Sequence, residues 1–310
     1  MKVIILGKGS MLANLIEGTR DSGCDIVGIF RHERTSLSPI KLFFKDFFKS
    51  SPEYTLINKY NLHEIKCKSA NSDTFLSEAL KLNPDIILVG TWREKLKKEI
   101  IDLPKIGTVN VHPSLLPKYR GPNPYIQTIL HGENQSGITF HLMGEEFDSG
   151  PILAQYEIDI LPGDTAKDLK EKTVFYARLM TTELLKKLNT SIVEPRPQNE
   201  EEATYFPNIT GEEKMLDFEN MTADKILNTI RALHPYLPTY ITYGNLFFVI
   251  NPYKARIVTK SGSPGSIIAK CAKTRSLTIA CKDQKCVKMS DLKLYRLSPL
   301  TKLVIDNIKL

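Results

Sequence analysis

Gly107-Thr108-Val109-Asn110-Val111-His112-Pro113-Ser114-Leu115-Leu116-Pro117-Lys118-Tyr119-Arg120-Gly121 is the stretch on which the fold turns. It opens as a mostly apolar strand, Gly107–His112, and closes as a turn punctuated by Pro and Gly. Asn110 and His112 stand at i and i+2, so a strand projects both to one face. Burying such groups unpaired costs about 1–3 kcal/mol each, so they are either paired or functional. Open parallel α/β sheets bind ligands beyond the carboxyl ends of their strands. The pair stands at such an end. A structural His–Asn pair holding the next turn reads equally well on these residues alone.

Working outward, strand and helix patterns alternate. Val3–Leu6 reads as a buried central strand, Met11–Arg20 as a helix and Asp25–Phe30 as a second strand. Helices are expected over Pro39–Phe48, over Asp73–Leu82 with Asp73 as its cap, and over Arg93–Ile101. Asp85–Val89 reads as a strand and Pro122–His131 as a helix. Two more strands, Ile138–Met143 and Ile152–Ile158, flank a loop. Ala166–Leu188 is a long helix that Asp164 or Thr165 would cap. The alternation predicts an α/β domain with a mostly parallel sheet over residues 1–189. Residues 190–209, rich in proline and carrying Gln198-Asn199-Glu200-Glu201-Glu202, read as a linker. Residues 210–310 hold a helix, Thr222–Leu233, and short β-like runs at Phe247–Ile250, Ala255–Val258, Ser266–Ala269, Ser276–Ala280 and Val287–Met289. These predict a small OB-like barrel.

The 310 residues are 42% hydrophobic and 25% charged, which excludes collagen-like, disordered and disulfide-scaffold classes. The apolar opening run is too short for a membrane span or a signal-peptide core, and no stretch approaches about 18 uncharged apolar residues. Five scattered cysteines form no disulfide framework. A cytoplasmic protein with reduced thiols and no membrane partner is expected. Charge is uneven. From Arg231 to Leu310 fourteen basic residues face three acids, a balance of +11, while the first 230 residues balance at −4. Such asymmetry suggests a polyanion partner; a solvated basic surface is the bland alternative.

Some chemistry is disfavoured. Gly7-Lys8-Gly9 lacks the third glycine of a dinucleotide fingerprint, since Leu12 stands there, and Arg31-His32 replace the acid expected after the second strand. NAD is therefore not expected, and the glycines serve a tight turn. Cys281 and Cys286, five apart, do not have zinc-ligand spacing, so no metal is expected. A further loop, Gly144-Glu145-Glu146-Phe147-Asp148-Ser149-Gly150, bears three acids between two strands. A carboxylate there makes an acid/base pair if a histidine lies beside it, and a solvated turn if not.

At this point a resemblance becomes specific. Asn110-x-His112, Ser114-Leu115-Leu116-Pro117, Arg120-Gly121, Gly137-Ile138-Thr139 and Asp148-Ser149-Gly150 agree in order, spacing and type with motifs of the formyltransferases that use 10-formyltetrahydrofolate. Arg231-Ala232-Leu233-His234-Pro235-Tyr236 and Pro264-Gly265 resemble motifs in the small domain of the methionyl-tRNA and aminoarabinose members. The resemblance implies a Rossmann-like catalytic domain followed by the OB-like domain. It implies catalysis by Asn110, His112 and Asp148. A folate cleft near Gly90, Thr91, Trp92, Ser114, Leu115, Leu116, Pro117 and Gly144 is implied too. Lys118, Arg120 and Arg231 would meet the acceptor.

Formyl transfer suits these residue types. An amine attacks a formamide carbon, and an amide NH₂ with an imidazole can donate to the oxyanion that forms. A histidine–carboxylate pair can move the protons. For the acceptor, the basic end favours a charged tRNA. Gly7-Lys8-Gly9-Ser10 in place of Gly-Thr-Pro, a loop after the second strand that carries few basic residues, and Pro122-Asn123-Pro124 all depart from the tRNA enzymes. A nucleotide-linked amino sugar is the alternative. A formyltetrahydrofolate hydrolase and an idle polyanion-binding module are the remaining readings.

Overall fold

The computed structural model describes residues 1–32, 41, 51–210, 215–243, 246–295 and 304. The helix expected over Pro39–Phe48 lies, except for Lys41, outside the described residues. Strand β1, Lys2–Gly7, is the core of the first sheet, with Val3, Ile4, Ile5 and Leu6 wholly buried. It pairs in parallel with β2 (Asp25–Arg31) on one side and β3 (Ile86–Gly90) on the other. Strand β4 (Gly107–His112) adds in parallel to β3, and β5 (Gln135–Leu142) runs antiparallel to β4. With β6 (Ile152–Asp159) the order is β2-β1-β3-β4-β5-β6. The first four strands are parallel and covered on both faces, which is why their sequences read as nearly unbroken apolar runs.

Helix α1 (Gly9–Asp21) joins β1 to β2. A Cβ on Gly7 would come within 2.5 Å of the Gly90 carbonyl oxygen, and Gly9 sits at φ +60°. These two glycines serve the strand-to-helix turn. Helix α2 (Pro52–Lys59), which none of the expected elements covers, precedes α3 (Asp73–Leu82). The α3 cap is Ser72, whose hydroxyl accepts from the Phe75 N–H, rather than Asp73. The helix expected over Arg93–Ile101 shrinks to α4, Lys98–Ile101. The Asn71 side chain accounts for this. It donates to the Lys95 carbonyl at 2.8 Å and accepts from the Lys97 N–H at 2.7 Å, taking backbone groups that a helix would use.

Two compact units result. The first comprises Met1–Pro122, Ser136–Ile158 and Glu171–Phe206; the second Asn123–Gln135, Asp159–Lys170 and Pro207–Leu310. Helix α5 (Pro124–Leu130) packs in the second unit against α7 (Ala223–Leu233), where Lys225 donates to the Leu130 carbonyl. The long helix α6, Ala166–Thr190, starts in a reciprocal cap. Thr165 Oγ1 accepts from the Asp168 N–H, and the Asp168 carboxylate accepts from the Thr165 N–H.

The second unit is β-rich. Strands β7 (Tyr240–Tyr243) and β8 (Leu246–Val249) form a three-stranded sheet with β13 (Lys293–Leu294). A four-stranded antiparallel sheet has the order β10-β11-β12-β9, from Ile267–Cys271, Ser276–Ala280, Lys285–Met289 and Ala255–Ser261. Ile226, Ile230, Phe248, Leu277, Val287 and Met289 share its buried core.

Gly137 is held by close packing rather than by its backbone conformation. A Cβ on Gly137 of β5 would overlap both the Leu115 side chain and the Tyr156 carbonyl of β6. Gly137→Ala is expected to lower unfolding stability by about 1–3 kcal/mol in urea titration. Unchanged stability would show that β6 and the 113–121 turn have room to yield.

Candidate active site

The carboxyl ends of β3 and β4 lie side by side, with Val89 opposite Asn110 and Gly90 opposite Val111. On the other edge of β4, Asn110 faces His141 and His112 faces Thr139 across the antiparallel β5. Two polar pairs therefore share the end of an otherwise apolar sheet. The 144–150 loop brings Asp148 to them, in the left-handed region at φ 55°.

The carboxylate is the hub. Asp148 Oδ1 lies 3.3 Å from His112 Nδ1 and accepts from the Asn110 amide at 3.3 Å. Its Oδ2 accepts from the Gly121 N–H at 3.0 Å. Side-chain exposure is 11% for Asp148 and 5% for His112, so both are largely removed from water. Burial works against the Asp148 charge, but His112, the Gly121 N–H and His141 outweigh it and hold the carboxyl at about 2.

His112 is bracketed by acceptors. Nδ1 faces the Asp148 carboxylate, and Nε2 donates to the Tyr119 carbonyl at 3.0 Å. Only an imidazolium has an N–H for each. Burial opposes that charge, yet Asp148 and the Tyr119 carbonyl raise the His112 pKa above its ordinary 6.5. His141 has the opposite arrangement. Its Nδ1 donates to the Leu142 carbonyl at 3.0 Å, and its Nε2 accepts from the Asn110 amide at 3.1 Å. That is a neutral ring. Burial and the neighbouring His112 push its pKa down to about 4.

The turn after β4 is braced from β5. Thr139 Oγ1 donates to the Ser114 carbonyl and accepts from the Leu116 N–H, while Gln155 donates to the Leu116 carbonyl and to Thr139. Ser114 and Leu116 are buried, and Leu115 and Pro117 are half-buried. Gly90 is buried at the end of β3, Thr91 follows at φ 57°, and Trp92 packs on Phe30 and His32. Gly144 is exposed, with open space where a Cβ would stand. Lys118 is exposed. The Arg120 guanidinium is engaged by Gln198 and Glu200. Arg231 belongs to the second unit, where it donates to the Pro162 and Asp164 carbonyls and to Asn228.

Three contributors had weak signals or none. His141 lies two residues after Thr139, the same i, i+2 spacing as Asn110 and His112, and could have been found by it. The Tyr119 carbonyl and the Gly121 N–H are backbone groups, which the sequence does not distinguish. Among the described residues no three His, Cys, Asp or Glu side chains gather as a metal site, and no helix is long and apolar enough to cross a membrane.

Residues 1–185 match the model of the formyl transferase family, and residues 208–301 match the formyl transferase C-terminal domain. A methionyl-tRNA formyltransferase of Enterococcus faecalis is 30% identical over 280 residues, 90% of this chain and 87% of that one. Another, from Caldanaerobacter subterraneus, is 39% identical over 200 residues, 64% of each chain. In fold, an N-formyltransferase of Helicobacter canadensis, solved with folinic acid and dTDP-3-aminofucose, is similar. Its TM-score is 0.69 at 19% identity over 95% of this chain and 100% of that one.

The signs of the two shifts predict a window. The depressed Asp148 contributes stability above the ordinary carboxyl value of 3.8, and this is lost as pH falls toward about 2. The raised His112 contributes below 6.5, and this is lost as pH rises through its folded value. Asp148→Asn is expected to cost most stability between these limits and to move the His112 titration, followed by NMR, below 6.5. An unmoved titration would show that the carboxylate does not set the ring's charge.

Proposed function

The chain belongs to the formyl transferase family and is a formyl-transferring enzyme, and from that premise we propose that it moves the formyl group of 10-formyltetrahydrofolate onto the amino group of methionyl-tRNA. The observation that carries the acceptor is the second unit's charge. Arg256 on β9 and Lys288 on β12 stand directly opposite in register, on the face away from the core that Ile257 and Val287 join. Like charges opposed on neighbouring strands destabilise a sheet on its own. A polyanion laid across them would relieve this repulsion. The balance of +11 from residue 231 onward points the same way.

Asn110, His112 and Asp148 perform the transfer in this reading. The amine lone pair attacks the formyl carbon, a C–N bond forms, and the carbonyl electrons move to oxygen. The Asn110 amide and the His112 imidazolium supply positive potential to that oxyanion. Collapse breaks the bond to the folate nitrogen, which takes a proton as the amine loses one, with His112 as the relay once its Nε2–H exchanges the Tyr119 carbonyl for the substrate. With its pKa near 2, Asp148 is too weak a base to strip an ammonium, so it holds His112 charged and oriented. An α-amino group with an ordinary pKa of about 7.7–8.0 is already partly neutral near pH 7. The folate lies against Gly90, Thr91, Trp92, Gly144 and the braced Ser114–Pro117 turn. Lys118, Arg120 and Arg231 are the acceptor contacts in this reading. The enzyme works in the cytoplasm and needs neither metal nor nicotinamide.

His112→Ala is expected to lower kcat by at least about 100-fold. Reversing Arg256 and Lys288 to Glu is expected to raise the KM for the tRNA at least about tenfold at low salt, less at higher salt, and to leave the folate KM unchanged. Equal tRNA KM values for the reversed and parent proteins would overturn the polyanion assignment.

A further inference from the structure

Residue Gln198 lies in the proline-rich acidic stretch that reads as a linker. Its side chain nevertheless reaches the active-site loop of the first unit. Its Nε2 donates to the Asp148 carbonyl at 2.8 Å and to the Gly150 carbonyl at 2.7 Å. Its Oε1 accepts from Arg120 Nη2 at 2.8 Å and from Arg120 Nε at 3.3 Å. Both amide protons and the amide oxygen are thus spoken for, which a carboxylate or an apolar side chain cannot reproduce.

The surrounding backbone fixes where Gln198 stands. Arg196 and Ile152 exchange backbone hydrogen bonds at 2.8 Å each, just before it. After it, the Arg120 N–H donates to the Thr204 carbonyl and the Phe206 N–H to the Arg120 carbonyl. The Tyr119 and Phe206 rings stack at 5.2 Å. Residues 196–206 are therefore strapped along the loops that carry Tyr119, Gly121 and Asp148.

The Asp148 turn needs such a restraint. Asp148 holds φ 55°, an uncommon conformation for a residue with a side chain. A Cβ on Gly150 would overlap the Leu142 carbonyl, so the turn is pressed against β5. Gln198 clamps the carbonyls on either side of Ser149 and so fixes the direction in which the Asp148 carboxylate leaves the backbone. We infer that Gln198 is a positioning residue for formyl transfer: one amide couples Arg120 to the turn that aims Asp148 at His112. This rests on the reading of Asp148 and His112 given above. A reacting group displaced by about 1 Å can cost about 100-fold in rate, so the clamp belongs to kcat rather than to folate affinity.

Two substitutions test it in the full-length protein. Gln198→Glu keeps an acceptor for Arg120 but offers no donor to the two carbonyls. Gln198→Leu removes both sets of bonds without adding charge. Both are expected to lower kcat about 10- to 100-fold, with the folate KM within about threefold of the parent. In Gln198→Leu the His112 titration, assigned by its loss in His112→Asn, is expected to fall toward lower pH as the carboxylate drifts. Asp148, His141 and Arg120 are the other titratable groups around that ring, and Gln198→Leu removes none of them. Parent-like kcat in Gln198→Glu would restrict Gln198 to holding Arg120 and overturn the inference. So would an unmoved His112 titration in a folded Gln198→Leu. If Gln198→Leu does not fold, the kcat of Gln198→Glu decides alone. The titration needs no substrate. A parent protein without formyl transfer to the tRNA therefore counts against the acceptor reading and leaves the Gln198 result to stand separately.

Discussion

A carboxylate largely shut off from water must be answered by donors, and the site is organised around that requirement. Asp148 stays ionised because His112, the Asn110 amide and the Gly121 N–H converge on its two oxygens. The partners come from neighbouring pieces of chain: β4 supplies two, the turn after β4 supplies the third, and β5 backs them with His141. The charge state of each ring follows from what it faces. His112 meets two acceptors and is held as a cation. His141 meets one acceptor and one donor and stays neutral. Two histidines a few ångströms apart are thereby given opposite roles by their hydrogen-bond partners.

The sheet explains why these groups meet. Placing β4 beside β3 and reversing β5 against it brings Asn110 opposite His141 and His112 opposite Thr139. The same reversal lets Thr139 and Gln155 brace the Ser114–Pro117 turn, so the reacting end of β4 and the expected folate contacts share one support. Arg120 and the 196–206 strap close that arrangement from outside the sheet.

Much of this was legible in the sequence. Apolar runs gave the central strands, because strands covered on both faces carry a continuous signal. The i, i+2 spacing of Asn110 and His112 and the acid-bearing loop gave residues that the fold does bring together. What stayed hidden has physical causes. The helix expected from Arg93 was cut short by a single side chain, Asn71, twenty-two residues earlier in the chain. Short strands such as β7 and β13 carry too few residues for a period to show. Gln198 sits among polar residues whose composition says linker, and only its long-range bonds distinguish it. Backbone donors and acceptors, Gly121 N–H and the Tyr119 carbonyl, leave no trace in residue type at all.

The chain gathers its basic excess in residues 231–310, and the proposed acceptor accounts for that excess. The most direct measurement is the initial rate of formyl transfer from 10-formyltetrahydrofolate, followed by folate absorbance. Methionyl-tRNA and a nucleotide-linked amino sugar would be offered separately at matched ionic strength. The account predicts rapid turnover with the tRNA that falls steeply with added salt, and none with the sugar. Turnover with the sugar and none with the tRNA would contradict it.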